Sequence, residues 1–474
     1  MSALRPWLAV ATAAGLVAAA PAVRAQTAAP DDPYPPAAAG WGPEAGGGLM
    51  VSRWAEDWSR LRASGIAPDL KAMPAPGGAT LTLGGEARLR WDVFDDARLT
   101  PGADSGYGLL RAVAGADLRL GPQLRIYGEL GAGRALNGEG LGPSFRNEVS
   151  VQQLFVEGRG RLGPVLVGAM VGRQEFADGP RQLLSLGDGP NLHRTWNGVR
   201  LYAHGRRWRL GAFDLAATRL GPDAFDEAVN GRERLQGVNA GLVLTSDAAG
   251  AVYLDPFWLR TRSPALRLAG RAGPDDRRTA GVRLWGRRGA HRFDWTVGRQ
   301  SGDFAGREID AWGLFAIHSL ELSSRGWKPR LTARLDLASG GPPGSAVERG
   351  FNPLYASSSH LGEGQFLGLR NLLMAAPGVT FAPAPGRTIS IEYGFARRLE
   401  TGEAAYGGGL RPYAGTQAAR GREIGGLLRV AAAWTVSPRL ALSVNYERMQ
   451  PGPALEQAGL RPGAYGSVAA TVRY

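Results

Sequence analysis

Arginine is the residue in this chain with the clearest chemical purpose. Of 474 residues, 55 are basic and 42 acidic, giving a formal charge of +13, and Lys71 and Lys328 are the only lysines. A guanidinium keeps its charge at any physiological pH and grips a carboxylate through two parallel hydrogen bonds. Arginines and carboxylates recur at alternate positions: Arg88, Arg90 and Asp92; Arg111, Asp117 and Arg119; Arg125, Tyr127 and Glu129. Arg200, Arg283, Arg330, Arg334, Asp336, Glu392, Arg398 and Arg429 continue the series. Such ladders can brace a wall by pairing. The surplus of arginine points instead to a surface that concentrates anions.

Catalytic patterns are missing. The histidines are His193, His204, His291, His318 and His360, with no metal-ligand spacing among them, and there is no cysteine. Ser359 and His360 are adjacent on a long loop and read as solvent-exposed. Gly340-Gly341 and Gly407 to Gly409 lack the lysine and helix of a phosphate loop. No enzyme, cofactor or metal site is expected. No helix-borne basic stripe marks a nucleic-acid partner.

The elements that carry the arginines are strands. Leu81, Leu83, Ala87, Leu89, Trp91 and Val93 alternate with polar residues, and similar segments follow to Tyr474. Their expected spans begin near 81, 107, 123, 148, 164, 194, 207, 232, 249, 276, 291, 306, 326, 366, 387, 420, 438 and 463. Connections alternate between long and short, with a break in that rule after Ser301 and a long loop expected from Arg262. This is the pattern of an all-β antiparallel transmembrane barrel of about 18 strands, with short periplasmic turns and long extracellular loops. A charge facing lipid at mid-membrane costs about 2–4 kcal/mol, so the arginines are assigned to the lumen.

The rest of the chain agrees with export. Residues 1–25 carry Arg5, an apolar run from Trp7 and a Val23-Arg24-Ala25 cleavage site, the features of a signal peptide. Residues 26–80 read as a periplasmic extension, with one amphipathic helix over 50–62, and residues 81–474 as the barrel. Trp196, Tyr202, Trp258, Trp285, Trp295, Trp434 and Tyr446 are placed in aromatic girdles. The last strand ends on the aromatic Tyr474.

Several motifs resemble the alginate-export family of outer-membrane proteins. They are RWAEDWSRLRA (53–63), LTLGGEARLRWD (81–92), GRQEFADG (172–179), GDGPNLHRTWNGVRL (187–201), FNPLY (351–355) and the stretch 421–452. The resemblance implies an eighteen-stranded barrel with an electropositive pore. It implies a lining or bracing role for Arg88, Arg90, Arg173, Gln174, Glu175, Arg194 and Arg200. The family's acidic loop is reduced here to SGGPPGSAVERG (339–350), so the cation binding or gating attached to it is not expected.

The expectation is therefore a bacterial outer-membrane channel passing an anionic polysaccharide such as an alginate-like polyuronate, in the export direction. The alternative is a porin-like uptake channel for small anionic or aromatic solutes. Its partners would be membrane lipid and lipopolysaccharide, the carbohydrate and a periplasmic secretion machine.

Overall fold

The computed structural model describes residues 48–178, 183–342, 344–357 and 359–474. The expected signal peptide and the start of the extension lie outside the described residues. Eighteen long strands form the wall. In chain order they are β1 Ala79–Asp95, β2 Ser105–Leu120, β3 Leu124–Leu136, β4 Asn147–Leu162, β5 Val165–Glu175 and β6 Thr195–His204. Next come β7 Trp208–Arg219, β8 Ala228–Asp247, β9 Gly250–Leu268, β10 Arg271–Arg288, β11 His291–Phe304 and β12 Arg307–Glu321. The wall finishes with β13 Arg330–Ala338, β14 Leu372–Phe381, β15 Arg387–Arg397, β16 Glu423–Thr435, β17 Leu440–Pro451 and β18 Gly463–Arg473.

Each strand pairs antiparallel with the next, and β1 closes the sheet by pairing with both β2 and β18. Closure removes every sheet edge, which is what allows a sheet to cross a bilayer. Leu89, Leu110, Leu154, Val171, Val199, Leu201, Trp258, Val297 and Trp312 are exposed on the outer face, while Arg88, Arg111, Arg125, Glu129 and Arg200 on the opposite parity are buried. Alternation thus separates lipid from lumen. Paired glycines let the wall approach itself closely: a Cβ on Gly172 would lie 2.3 Å from the Leu154 carbonyl, and one on its partner Gly198 would lie 2.1 Å from that of Asp214.

Three local expectations need correction. β9 runs through Arg262 to Leu268, crossing a register shift between Ser263 and Leu266, so no long loop begins there. Trp196 and Tyr202 are buried on the lumenal side, and Trp285 turns inward to donate to Asp255 at 2.6 Å. Their indoles and phenol serve interior packing, whereas Trp258, Trp295, Trp434 and Tyr446 remain exposed as girdle residues should. The helix over 50–62 is two short pieces, Arg53–Ala55 and Ser59–Ala63. Glu56 breaks it by turning extended, its carboxylate receiving the Met50 amide and the Trp58 indole, and Asp57 restarts it by accepting from the Ser59 amide at 3.0 Å.

Candidate functional site

The barrel interior is occupied from both ends. From the end where the chain enters, residues 48–75 fold up into the mouth. Trp54 packs with Tyr127, Phe155, Met170 and Tyr202. Arg53 reaches Glu129 at 2.9 Å and Glu86 at 3.4 Å, both carboxylates on the wall. Wall arginines hold the segment's backbone in return: Arg125 donates to the Trp54 carbonyl and Arg119 to that of Glu56. Lys71 pairs with Glu56 and stands over the Trp58 and Tyr474 rings. The carboxy-terminal tyrosine thus helps to seat the plug, its backbone bonded to Gly85. Pro74 and Ala75 extend the seal by pairing with the first residues of β1.

From the other end, the connection between β5 and β6 dips inward at 187–194. Arg88 donates to the carbonyls of Asp188 and Pro190 and meets the Asp188 carboxylate at 3.3 Å. Arg111 holds the same carboxylate at 2.8 Å, and Glu86 on its other side. His193 bridges Glu175 and Asp188, with Arg111 3.0 Å from its Nε2. Burial alone would lower the His193 pKa, but the Glu175 carboxylate and the two hydrogen bonds outweigh it and raise it to about 9. The protonated imidazole thus favours holding this loop to the wall carboxylate Glu175.

A second strap, 360–364, crosses the lumen opposite. His360 donates toward Asp336 at 2.8 Å and its carbonyl accepts from Arg334. Glu363 meets Arg90 at 3.0 Å and also Tyr465, and the amides of Glu363 and Gly364 donate to Glu447. The His360 side chain is only 8% exposed, which corrects the solvent-exposed reading of Ser359-His360: the loop folds into the barrel instead of out of it. Two cavities flank the strap. One of about 520 Å³ is lined by Arg90, Tyr107, Asp188, His193, Arg194 and Glu363. The other, of about 240 Å³, lies against β13–β17 and is lined by Arg334, Glu392, Arg429, Asn445 and Glu447.

The arginines singled out from the sequence divide into groups. Arg88, Arg90, Arg111, Arg125, Arg334 and Arg429 all point into the interior and all have a carboxylate partner. Arg125 is tied to Asp117 and Glu157, while Glu129 also receives Tyr127 and Gln153. Arg200 lies over Phe176 at 4.8 Å and over Trp54 at 5.6 Å, linking wall to plug. Arg194 sits on the inward loop, where it donates to the Ser185 and Tyr355 carbonyls and stacks on the Tyr355 ring. Glu392 binds Arg429 at 3.0 Å.

Two placements differ from expectation. Arg173 stands on the outer parity, opposite exposed Leu154 and Asn197, because alternation from buried Met170 carries it there; it is tied to Glu227 at 2.8 Å. It does not line the pore. Arg398 lies just past the end of β15 and gathers the carbonyls of Thr401, Glu403, Thr416, Ala419 and Gly421, organising an external loop. Carboxylates also meet several of the lumenal guanidiniums where a surplus was expected: Asp188 and Glu363 are brought in by inward segments, and Glu447 stands on β17 itself. The sequence reasoning missed the plug residues Arg53 and Trp54, His193 and His360. An apolar Trp beside Arg in a segment otherwise read as periplasmic was the available signal for the first two.

A closed antiparallel barrel with an apolar outer band and a polar, segmented lumen defines an outer-membrane channel of the porin type. Its fold is similar to the outer membrane protein OpdK from Pseudomonas aeruginosa, at 14% identity and TM-score 0.55, covering 83% of this chain and 98% of that one. A BenF-like porin from Pseudomonas fluorescens Pf-5 matches at 10% identity and TM-score 0.56, with the same coverage. A structure titled as OpdK with vanillate matches at 14% and 0.54, again over 83% and 98%. No curated protein matches the chain. The profile of the alginate-export family matches residues 79–468, and the chain belongs to that family. Family and fold are of transport-channel type, and the partners such channels meet are membrane lipid and transported solute.

Proposed function

We infer that this channel passes anionic carbohydrate of the uronate class, in the export direction, and that the chain's own carboxylates hold the path shut until cargo replaces them. The observation that carries this reading is the source of the acids. Asp188 on Arg88 and Arg111, and Glu363 on Arg90, come from inward segments and not from the wall. A guanidinium that binds a movable carboxylate can bind a uronate carboxylate in the same geometry. Exchange of one acid for another along a row of such positions would move a polymer without leaving any buried charge unpaired.

Membership of the alginate-export family supports the polymer. The second reading, uptake of a small anion, is favoured by the cavity of about 520 Å³ and by the vanillate named for a structure of similar fold. Planar-bilayer recording under a salt gradient separates the two. Anion selectivity with block by micromolar polymannuronate is the expected result. Anion selectivity with block by vanillate and none by the polymer would favour the second reading, and cation selectivity would remove both.

A further inference from the structure

The outer face of β8–β10 carries a cluster of arginines that the lumen does not explain. Arg234 on β8, Arg260 and Arg262 on β9 and Arg278 on β10 share the outward parity of exposed Val238 and Trp258. They are cross-strand neighbours: Arg234 stands opposite Arg262, and Arg260 opposite Arg278. Like charges directly opposite one another on one face of a sheet destabilise it. Only part of the charge is met internally. Arg234 pairs with Asp214 and Arg260 with Asp276. Arg262 stands opposite Asp276 on β10 without reaching ion-pair distance, donates one bond to Gln236 and leaves its Nε without a hydrogen-bond partner. Arg278 makes no ion pair or side-chain hydrogen bond among the described residues.

The height of the cluster is informative. Arg260 lies ten residues above Gly250, where β9 leaves its periplasmic turn. At about 2.5 Å of height per tilted strand residue, that is about 25 Å, the thickness of the apolar band of such barrels. The row directly below runs through Val238, Trp258 and Ala280, all apolar and exposed, and then through exposed Arg299, which pairs with Asp310, to Trp312. Arginines facing lipid here stand at the interface, where their cost falls to about 0–1 kcal/mol. Above them the β9–β10 hairpin continues past the membrane with Arg267 and Arg271 exposed.

We propose that this face of β8–β10 binds the phosphorylated glycolipid of the outer leaflet, its acyl chains lying on Val238 and Trp258 and its phosphates between the opposed arginines. A phosphate between Arg260 and Arg278, or beside Arg262, turns two repulsive pairs into charge-assisted hydrogen bonds. The face is continuous with the lipid-covered wall, so the lipid's apolar and charged parts both find complements at their own depth. A second copy of the chain would bring the same positive charge to the face and meet repulsion.

The probe is bis-phosphorylated lipid A, titrated into the purified barrel in detergent and counted by native mass spectrometry. The triple variant R260Q/R262Q/R278Q should bind it about a hundredfold more weakly. R161Q, at a periplasmic turn, should bind as the unmodified protein does. Dephosphorylated lipid A added to the unmodified protein needs no variant to fold, and it should bind as weakly as the intact lipid binds the triple variant. Equal binding of the two lipids, or equal binding by the triple variant, would overturn the proposal. So would a dimer that the triple variant dissociates while glycolipid binding stays unchanged.

Discussion

Removing the Trp54 side chain should open the channel. Trp54 is 2% exposed, its ring edge-on to Phe155 with centroids 6.3 Å apart and Arg200 on another side. Truncating a buried tryptophan to alanine costs about 3–5 kcal/mol. The barrel itself loses little, because Tyr127 and Phe155 stay stacked on each other at 5.3 Å and remain part of the wall. Most of the loss therefore falls on the docked segment relative to the withdrawn one. At 1.36 kcal/mol per decade, the withdrawn fraction should rise by roughly a hundred- to several-thousand-fold. The assay is single-channel recording of W54A beside the unmodified protein, with heat-modified gel mobility confirming an intact barrel. Because the chain has no cysteine, W54C provides a second readout: a thiol reagent too large to pass a closed lumen should label it from the periplasmic side. A folded W54A barrel with unchanged open probability, or a W54C thiol that the large reagent leaves unlabelled, would refute docking of this segment as the closing element.

Other outcomes follow from the same contacts. His193, raised to about 9 in the fold, contributes holding energy that is complete below its unfolded value near 6.5 and is lost as pH rises through about 9. Conductance should therefore step up above that pH, with H193Q, which cannot pair as a cation with Glu175 and Asp188, abolishing the step. E363Q should free Arg90 from the strap and make polymannuronate block at lower concentration; unchanged block would dissociate Arg90 from cargo. R429A and R334A together should move the reversal potential toward cations, because Glu392 and Glu447 would then line the lower cavity without their partners. R398A should leave the barrel folded but expose the loop at 399–421 to protease, since that loop's carbonyls converge on one guanidinium.

The wall was legible because a closed sheet obeys a two-residue period, and each strand from β1 to β18 shows it through Leu, Val and Trp on one face. The interior was only half legible. Alternation turned Arg88, Arg111 and Arg334 inward correctly, but it says nothing of what meets them there. Asp188, which meets Arg88 and Arg111, and Glu363, which meets Arg90, lie in loops, where no periodicity reports direction. Trp196 and Tyr202 fit a girdle by type and position along their strand, and only their neighbours reveal that they face in. Arg173 was drawn from motif resemblance against its own strand's alternation, and the alternation was the better guide. The plug escaped for another reason: burial of Arg53 and Trp54 depends on Glu86, Glu129 and Phe155, which are distant in sequence and meet them only when the barrel closes.

The central claim is that anionic polymer itself crosses this barrel. Proteoliposomes holding the W54A protein, loaded with fluorescent oligomannuronate and separately with neutral dextran of equal length, test it most directly. Release of the uronate well ahead of the dextran, slowed in an R88A/R90A/R111A background, is the predicted result. Equal release of both polymers, or retention of both while small anions escape, would contradict it.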